Sequence, residues 1–299
     1  YLKMIRLRPY QQILQDKVRD AWTRVRAPVM VLGTGGGKTV IFASMIHDHT
    51  GASAAIVHRR EIVAQISIAL AKLEVKHRII APPASIKVIR AKHLKLFGKS
   101  YLSDHALCGV ASVQTLTSAS TAKNPATAAW LAQVTLAVFD EGHHYIPTGV
   151  WSKAVEMFAR AKLLFVTATP KRADGKPLSY GQELVLGPTV QWMIDNGYLS
   201  RFKYYAPSSD FDVSDLSVTA SGDYSTTQLR ERVIQSHLVG DMVTQYERHG
   251  SGQLAIGFAT DVATAYEMAG AFRDAGIPSQ ALCGKTDEQL RAQTLADFE

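Results

Sequence analysis

Apolar residues along this 299-residue chain fall into two alternating rhythms. Short, mainly apolar runs at 29–32, 54–57, 106–110, 134–139 and 163–166 are too short for helices and predict strands buried on both faces. Between them the spacing turns helical: across 12–25 it sets Ile13, Leu14, Val18, Ala21, Trp22 and Val25 on one face, and 40–46 reads as a second helix. Strands alternating with helices predict an α/β chain built on a doubly wound parallel sheet, where ligands bind beyond the carboxyl ends of the strands. The residues that follow each run are therefore where chemistry is expected. Gly and Pro punctuate 171–200, and 208–227 is polar and turn-rich, which predicts a flexible surface excursion. This break divides the chain into an expected first domain, 1–200, and an expected second, 201–299.

The run 29–32 leads into Gly33-Thr34-Gly35-Gly36-Gly37-Lys38-Thr39 and then into the helical 40–46. Strand, glycine loop, Lys-Thr and helix is the order in which a P-loop wraps nucleotide phosphates. Glycines let backbone N–H groups turn toward the anion, and the opening helix presents its positive end to it. Lys38 reaches the β/γ oxygens, and the Thr39 hydroxyl ligates Mg²⁺. Thr34, Gly35, Gly36 and Gly37 complete the expected ATP-binding loop. Leu32 departs from the strict pattern, which opens with a small residue at that place.

A P-loop needs an acidic partner, and the run 134–139 ends on Asp140-Glu141-Gly142-His143-His144. Asp140 at the end of a buried strand suits a second Mg²⁺ ligand, and Glu141 suits the group that orients or deprotonates the attacking water. Lys38, Asp140 and Glu141 form the expected catalytic set.

With these two elements in place, the chain resembles the superfamily 2 helicases and translocases of DExH type, Asp140-Glu141-Gly142-His143 standing as the DExH box. Leu7-Arg8-Pro9-Tyr10-Gln11 looks like the element whose Gln recognises adenine, and Arg8 joins that ATP-binding set. Val57-His58-Arg59-Arg60-Glu61 looks like motif Ia, Ala111-Ser112-Val113-Gln114-Thr115 like the next strand-contacting motif, and Thr167-Ala168-Thr169-Pro170 like motif III. Ala255-Ile256-Gly257-Phe258-Ala259-Thr260, with Leu282-Cys283-Gly284-Lys285-Thr286 after it, is similar to motif IV and the element that follows. The connecting runs 173–178 and 187–199 suggest the phage and restriction-enzyme-like DNA branch. The resemblance implies two RecA-like doubly wound domains, the second incomplete, with ATP and Mg²⁺ bound between them. It further implies that Arg59, Ser112, Gln114, Thr115 and Thr260 hold the sugar-phosphate backbone. His143 would couple nucleotide state to the second domain, and Thr167 and Thr169 would link hydrolysis to that strand. Motifs V and VI, which carry the arginines that stabilise the transition state, have no counterpart before Glu299, so weak hydrolysis is expected of this chain. Tyr1 in place of Met, and an end at Asp297-Phe298-Glu299 within a helical pattern, suggest a fragment.

Charge sharpens the division. Residues 1–200 carry 25 Lys+Arg against 12 Asp+Glu, whereas 201–299 carry 8 against 14. A basic first domain suits a phosphate backbone, with single-stranded or forked DNA the expected partner and RNA the second candidate. Its densest part holds Lys76, Arg78, Lys87, Arg90, Lys92, Lys95 and Lys99 with no acid among them; a nucleic-acid track and a solvated face fit this run equally. No segment is apolar and long enough to span a bilayer, and Cys108 and Cys283 lack metal spacing, so a reduced, cytosolic monomer without a membrane partner is expected. His143 and His144 lack a third ligand at zinc spacing. Trp22, Trp130, Trp151 and Trp192 read as core residues, and Tyr145 and Phe258 as aromatics near motifs that stacking on bases would suit.

The function expected is an ATP-driven DNA helicase or translocase. Two other classes stand beside it: a nucleic-acid-binding remodelling module with a partner-dependent ATPase, and a P-loop enzyme that phosphorylates a small molecule.

Overall fold

The computed structural model describes residues 6–58, 60–122, 124–170, 177–205 and 238–298, with Ser217 and Gln228. Packing separates residues 1–202 from 203–299. In the first unit a seven-stranded sheet runs in the order β3-β4-β2-β5-β6-β1-β7. Its strands are β1 (Pro28–Val31), β2 (Ala52–Val57), β3 (His77–Ile80), β4 (Cys108–Ser112), β5 (Val134–Asp140), β6 (Lys162–Thr167) and β7 (Glu183–Leu186), and every pairing is parallel. The five apolar runs fall on the five inner strands, as a sheet covered on both faces requires.

Strand alternation splits the core in two. Met30, Ala55, Val57, Val138, Leu164 and Val166 pack with Leu14 and Val18 of α1 (Pro9–Ala21), Ile41 and Phe42 of α2 (Lys38–Asp48), and Ile66 and Leu70 of α3 (Arg60–Lys72). Val29, Val31, Ala54, Ile56, Phe139 and Phe165 face the other way, toward Trp130, Tyr145 and Phe158. Period two along each strand thus feeds two separate helical layers. The edge strands β3 and β7 escape the apolar-run criterion. They are four residues each, carry His77, Arg78 and Glu183, and end the sheet, with a bridge from His77 to Leu102 on the outer side of β3, so they need no continuous apolar stretch.

Several expected burials are corrected. α1 starts at Pro9, whose missing N–H and fixed φ suit a first turn, and this phase buries Tyr10 while leaving Ile13 57% exposed. Trp130 is in the core, but Trp192 is 41% exposed on the short helix Val190–Asp195. Tyr145 is buried and unavailable to a base, whereas Phe258 is 89% exposed.

The described residues of the second unit contain the helices Leu238–His249, Val262–Asp274 and Glu288–Phe298 and no strand. The stretch 254–259, which holds most of the expected motif IV, lies in irregular backbone with Leu254, Ile256 and Phe258 exposed. A strand needs a neighbour for its N–H and C=O groups, and none is described here. The expected excursion 208–227 lies outside the described residues apart from Ser217.

Candidate nucleotide site

Three adjacent strands end on one rim. Register places Asp140 of β5 level with Val166 of β6, and Thr167 of β6 level with Val31 of β1, so the glycine loop, the carboxylates and Thr167 emerge side by side. This is the carboxyl edge at which open α/β sheets bind ligands.

The loop is built so that only glycine fits. Gly35 and Gly37 have φ of +79° and +86°, and a Cβ on Gly37 would stand 2.3 Å from Gln11 Nε2. One on Gly35 would meet Leu199 at 2.8 Å. The Gly36 carbonyl accepts two side-chain bonds, from Tyr10 Oη at 2.7 Å and Gln11 Nε2 at 3.0 Å. The Gly36 N–H donates back to the Gly33 carbonyl at 3.1 Å, so the loop is held in shape by its own backbone as well as by α1. Thr34 and Gly35 are exposed, and Lys38 and Thr39 are half-buried at the start of α2. The Lys38 ammonium has one long hydrogen bond, 3.4 Å to the Leu32 carbonyl. Leu32 itself is buried and packs beneath Gly36, which explains why a large residue is tolerated there.

Gln11, expected to read adenine, is 4% exposed with both halves of its amide engaged: Oε1 accepts from the Arg8 N–H at 2.9 Å, and Nε2 meets Gly36. Arg8 is exposed, and its guanidinium lies 5.3 Å from the Tyr198 ring centroid.

Across the rim Asp140 is buried, and burial followed by the neighbouring Glu141 charge raises its carboxyl to about 6, with Lys38 pulling the other way. Asp140 and the Thr39 hydroxyl would hold a divalent cation, whose charge offsets this burial, and the oxygen-only donor pair suits Mg²⁺. Glu141 adopts φ +53°, one of two described non-glycine residues in the left-handed region. Gly142 after it lies under Phe165, where a Cβ would come within 3.0 Å. Tyr145 Oη donates to the Ile56 carbonyl at 3.4 Å, tying this turn to β2.

His143 connects the acidic turn to β6. Its Nδ1 is 2.9 Å from Thr167 Oγ1 and 3.4 Å from Glu141 Oε2. The Thr167 hydroxyl accepts the Thr169 N–H at 3.0 Å and donates to the Thr169 carbonyl at 3.1 Å, so its remaining lone pair receives a proton on His143 Nδ1. The structure thus brings Glu141, His143, Thr167 and Thr169 into one chain.

The expected strand-contacting residues divide. Gln114 is exposed and Thr115 half-buried, but Ser112 is buried and caps the turn Val113–Leu116, its Oγ accepting from the Thr115 N–H at 3.3 Å. Thr260 is exposed in the second unit, and Arg59 lies outside the described residues. Lys87, Arg90, Lys92 and Lys95 are all exposed on α4 (Pro83–Phe97). Sequence reasoning missed the structural parts of Tyr10 and Leu199, whose contacts with the loop span distances no local pattern reveals.

Strand, phosphate-cradling loop, lysine and an acidic pair on neighbouring strand ends define the P-loop class of α/β proteins. The chain belongs to the family described as type III restriction enzyme, res subunit, whose model matches residues 4–172, and the superfamily 2 resemblance holds. A 51.5 kDa protein of a Lactococcus phage is 33% identical over 56% of this chain and 36% of its own length. A putative mitochondrial ATP-dependent helicase, irc3, of Schizosaccharomyces pombe is 26% identical over 98% of this chain and 47% of its own. The chain therefore spans less than half of either relative. The crystal structure of the UvsW helicase from bacteriophage T4 aligns at 18% identity and a TM-score of 0.43, covering 61% of this chain and 60% of that one. No described helix is long and apolar enough to cross a membrane.

Proposed function

We propose that this chain is the ATP-binding part of a motor that translocates on, or separates, DNA strands. The observation that carries the reading is the shared rim: the phosphate loop, Asp140–Glu141 and the His143–Thr167–Thr169 chain emerge from three neighbouring strands. The glycine loop and Lys38 hold the phosphates, with Arg8 and Gln11 bordering the side where the base emerges. Thr39 and Asp140 would hold Mg²⁺, which neutralises phosphate charge when bound. Glu141 orients the attacking water, and the loss of its negative charge when it takes the water's proton is felt at His143 and then at Thr167. DNA, with RNA as the second candidate, lies along the exposed Gln114 and the half-buried Thr115, with Arg59 and Thr260 as further backbone contacts. Ser112 supports that surface from beneath. Contacts of this kind position a strand without reading its sequence. The cytosol is the proposed setting and a monomer the proposed state.

ATP hydrolysis measured with and without single-stranded DNA tests the reading. Strong stimulation is the expected result. Tight DNA binding without turnover would point to a remodelling module, and indifference to DNA would overturn the motor.

A further inference from the structure

Away from the rim, Ser67 on α3, His77 at the start of β3 and His93 on α4 are all fully buried. Ser67 Oγ lies 2.7 Å from His77 Nε2 and 3.0 Å from His93 Nε2. Their outer nitrogens meet backbone: His77 Nδ1 is 2.8 Å from the Val75 carbonyl, and His93 Nδ1 is 3.3 Å from the Tyr101 N–H. Backbone chemistry fixes every proton. A carbonyl only accepts, so His77 carries its proton on Nδ1 and Nε2 is an acceptor. An N–H only donates, so His93 Nδ1 is an acceptor and the proton sits on Nε2. The hydroxyl then accepts from His93 and donates to His77, and the chain runs one way from Tyr101 to Val75 with both rings neutral and in opposite tautomers.

We infer that this one-way chain is an acid-released latch holding the basic helix α4 to the sheet edge. A proton added at His93 Nδ1 would face the Tyr101 N–H, setting two donors against each other. One added at His77 Nε2 would meet a hydroxyl already donating to that atom. Either proton also leaves a charge in the core, and burial lowers the proton affinity of both rings, His77 to about 4. Among the described residues no carboxylate bonds to either ring. Cys108, paired with His77 across β3 and β4, is pushed up to about 12 by burial and stays neutral. Glu74 accepts from Tyr101 Oη at 3.2 Å and lies 3.9 Å from Lys99. Arg78 next to His77, and Lys87, Arg90, Lys92 and Lys95 on α4, add like charge only. β3 is an edge strand, so releasing α4 leaves the five inner strands intact. Acidification would thus release α4, the most basic of the described helices, while the inner strands of the sheet keep their fold.

Two measurements on the unmodified chain decide the matter. Long-range proton–nitrogen correlation at pH 7 should show His77 as the Nδ1–H tautomer and His93 as the Nε2–H tautomer; any other pairing overturns the latch. Hydrogen exchange, corrected for intrinsic rates, should then show Ile89 to Phe97 losing protection by about tenfold per pH unit per histidine between pH 6.5 and 5 while β2 and β5 keep theirs. Protection of α4 that does not change with pH, or that falls in step with β2 and β5, would overturn it. His77→Gln with His93→Gln, which cannot titrate, should flatten the α4 response.

Discussion

Two places in the first unit bury polar groups, and they do so in opposite ways. At the β3–α4 edge, every donor in the Ser67–His77–His93 chain has an acceptor and both rings stay neutral. On the β5–β6–β1 rim the account stays open: Asp140 is driven up to about 6, Lys38 has one long bond, and Glu141 sits in the left-handed region. A network that closes on itself serves the fold. One that leaves charge uncompensated on strand ends is arranged for something that arrives, in the function proposed here a phosphate and a cation.

The largest expected effect tests the open side. Lys38→Ala should lower turnover by roughly a thousandfold or more and weaken nucleotide binding, because a point charge on the β/γ phosphates disappears. Glu141→Gln should keep the nucleotide bound and remove hydrolysis. Calorimetry that found equal nucleotide affinity in wild type and Lys38→Ala would remove the P-loop assignment.

Acid should next separate the two regions by sign. His77 takes a proton at 6.5 when unfolded but near 4 when folded, so its contribution to stability is lost as pH falls through that window, by about 3 kcal/mol. Asp140 does the reverse: raised from 3.8 to about 6, it binds its proton more tightly in the fold and adds a comparable amount over nearly the same range. Relative to wild type, Asp140→Asn should become less stable on going from pH 7 to pH 4, and His77→Gln more stable. Urea unfolding at the two pH values checks this, and like signs for the two variants would break the contrast.

A smaller effect is expected at Thr167. Thr167→Val keeps shape but strips the hydroxyl from the Thr169 N–H and His143, costing about 1–2 kcal/mol in stability. Turnover should fall while nucleotide affinity persists, since the bond lost couples and does not bind. Smallest of all, Gln11→Ala should weaken ATP and GTP alike by about three- to tenfold, because the lost amide braces Gly36. Equilibrium binding of both nucleotides checks it, and a selective loss of ATP would show the side chain leaving the loop to meet the base.

Much of this was legible from residue order. The five inner strands are apolar runs because both faces are covered, and the P-loop and Asp140–Glu141 follow two of them at once. β3 and β7 were invisible because an edge strand can carry His77 or Glu183 at no cost. Gln11 and Ser112 carry motif identities, yet burial and hydrogen bonding decide what each can touch, and those depend on Gly36 and Thr115 in the folded chain. The histidine chain had no sequence signal at all, since its members come from two helices and a strand with unremarkable spacing.

Glu141 leaves a trace outside enzymology. A left-handed backbone costs a residue with a side chain of order 1 kcal/mol that glycine or asparagine largely escapes. Glutamate at this position is thus maintained against the grain of the fold. A library sorted for heat resistance alone should drift toward Glu141→Gly or Glu141→Asn, gaining melting temperature and discarding the group proposed to position water.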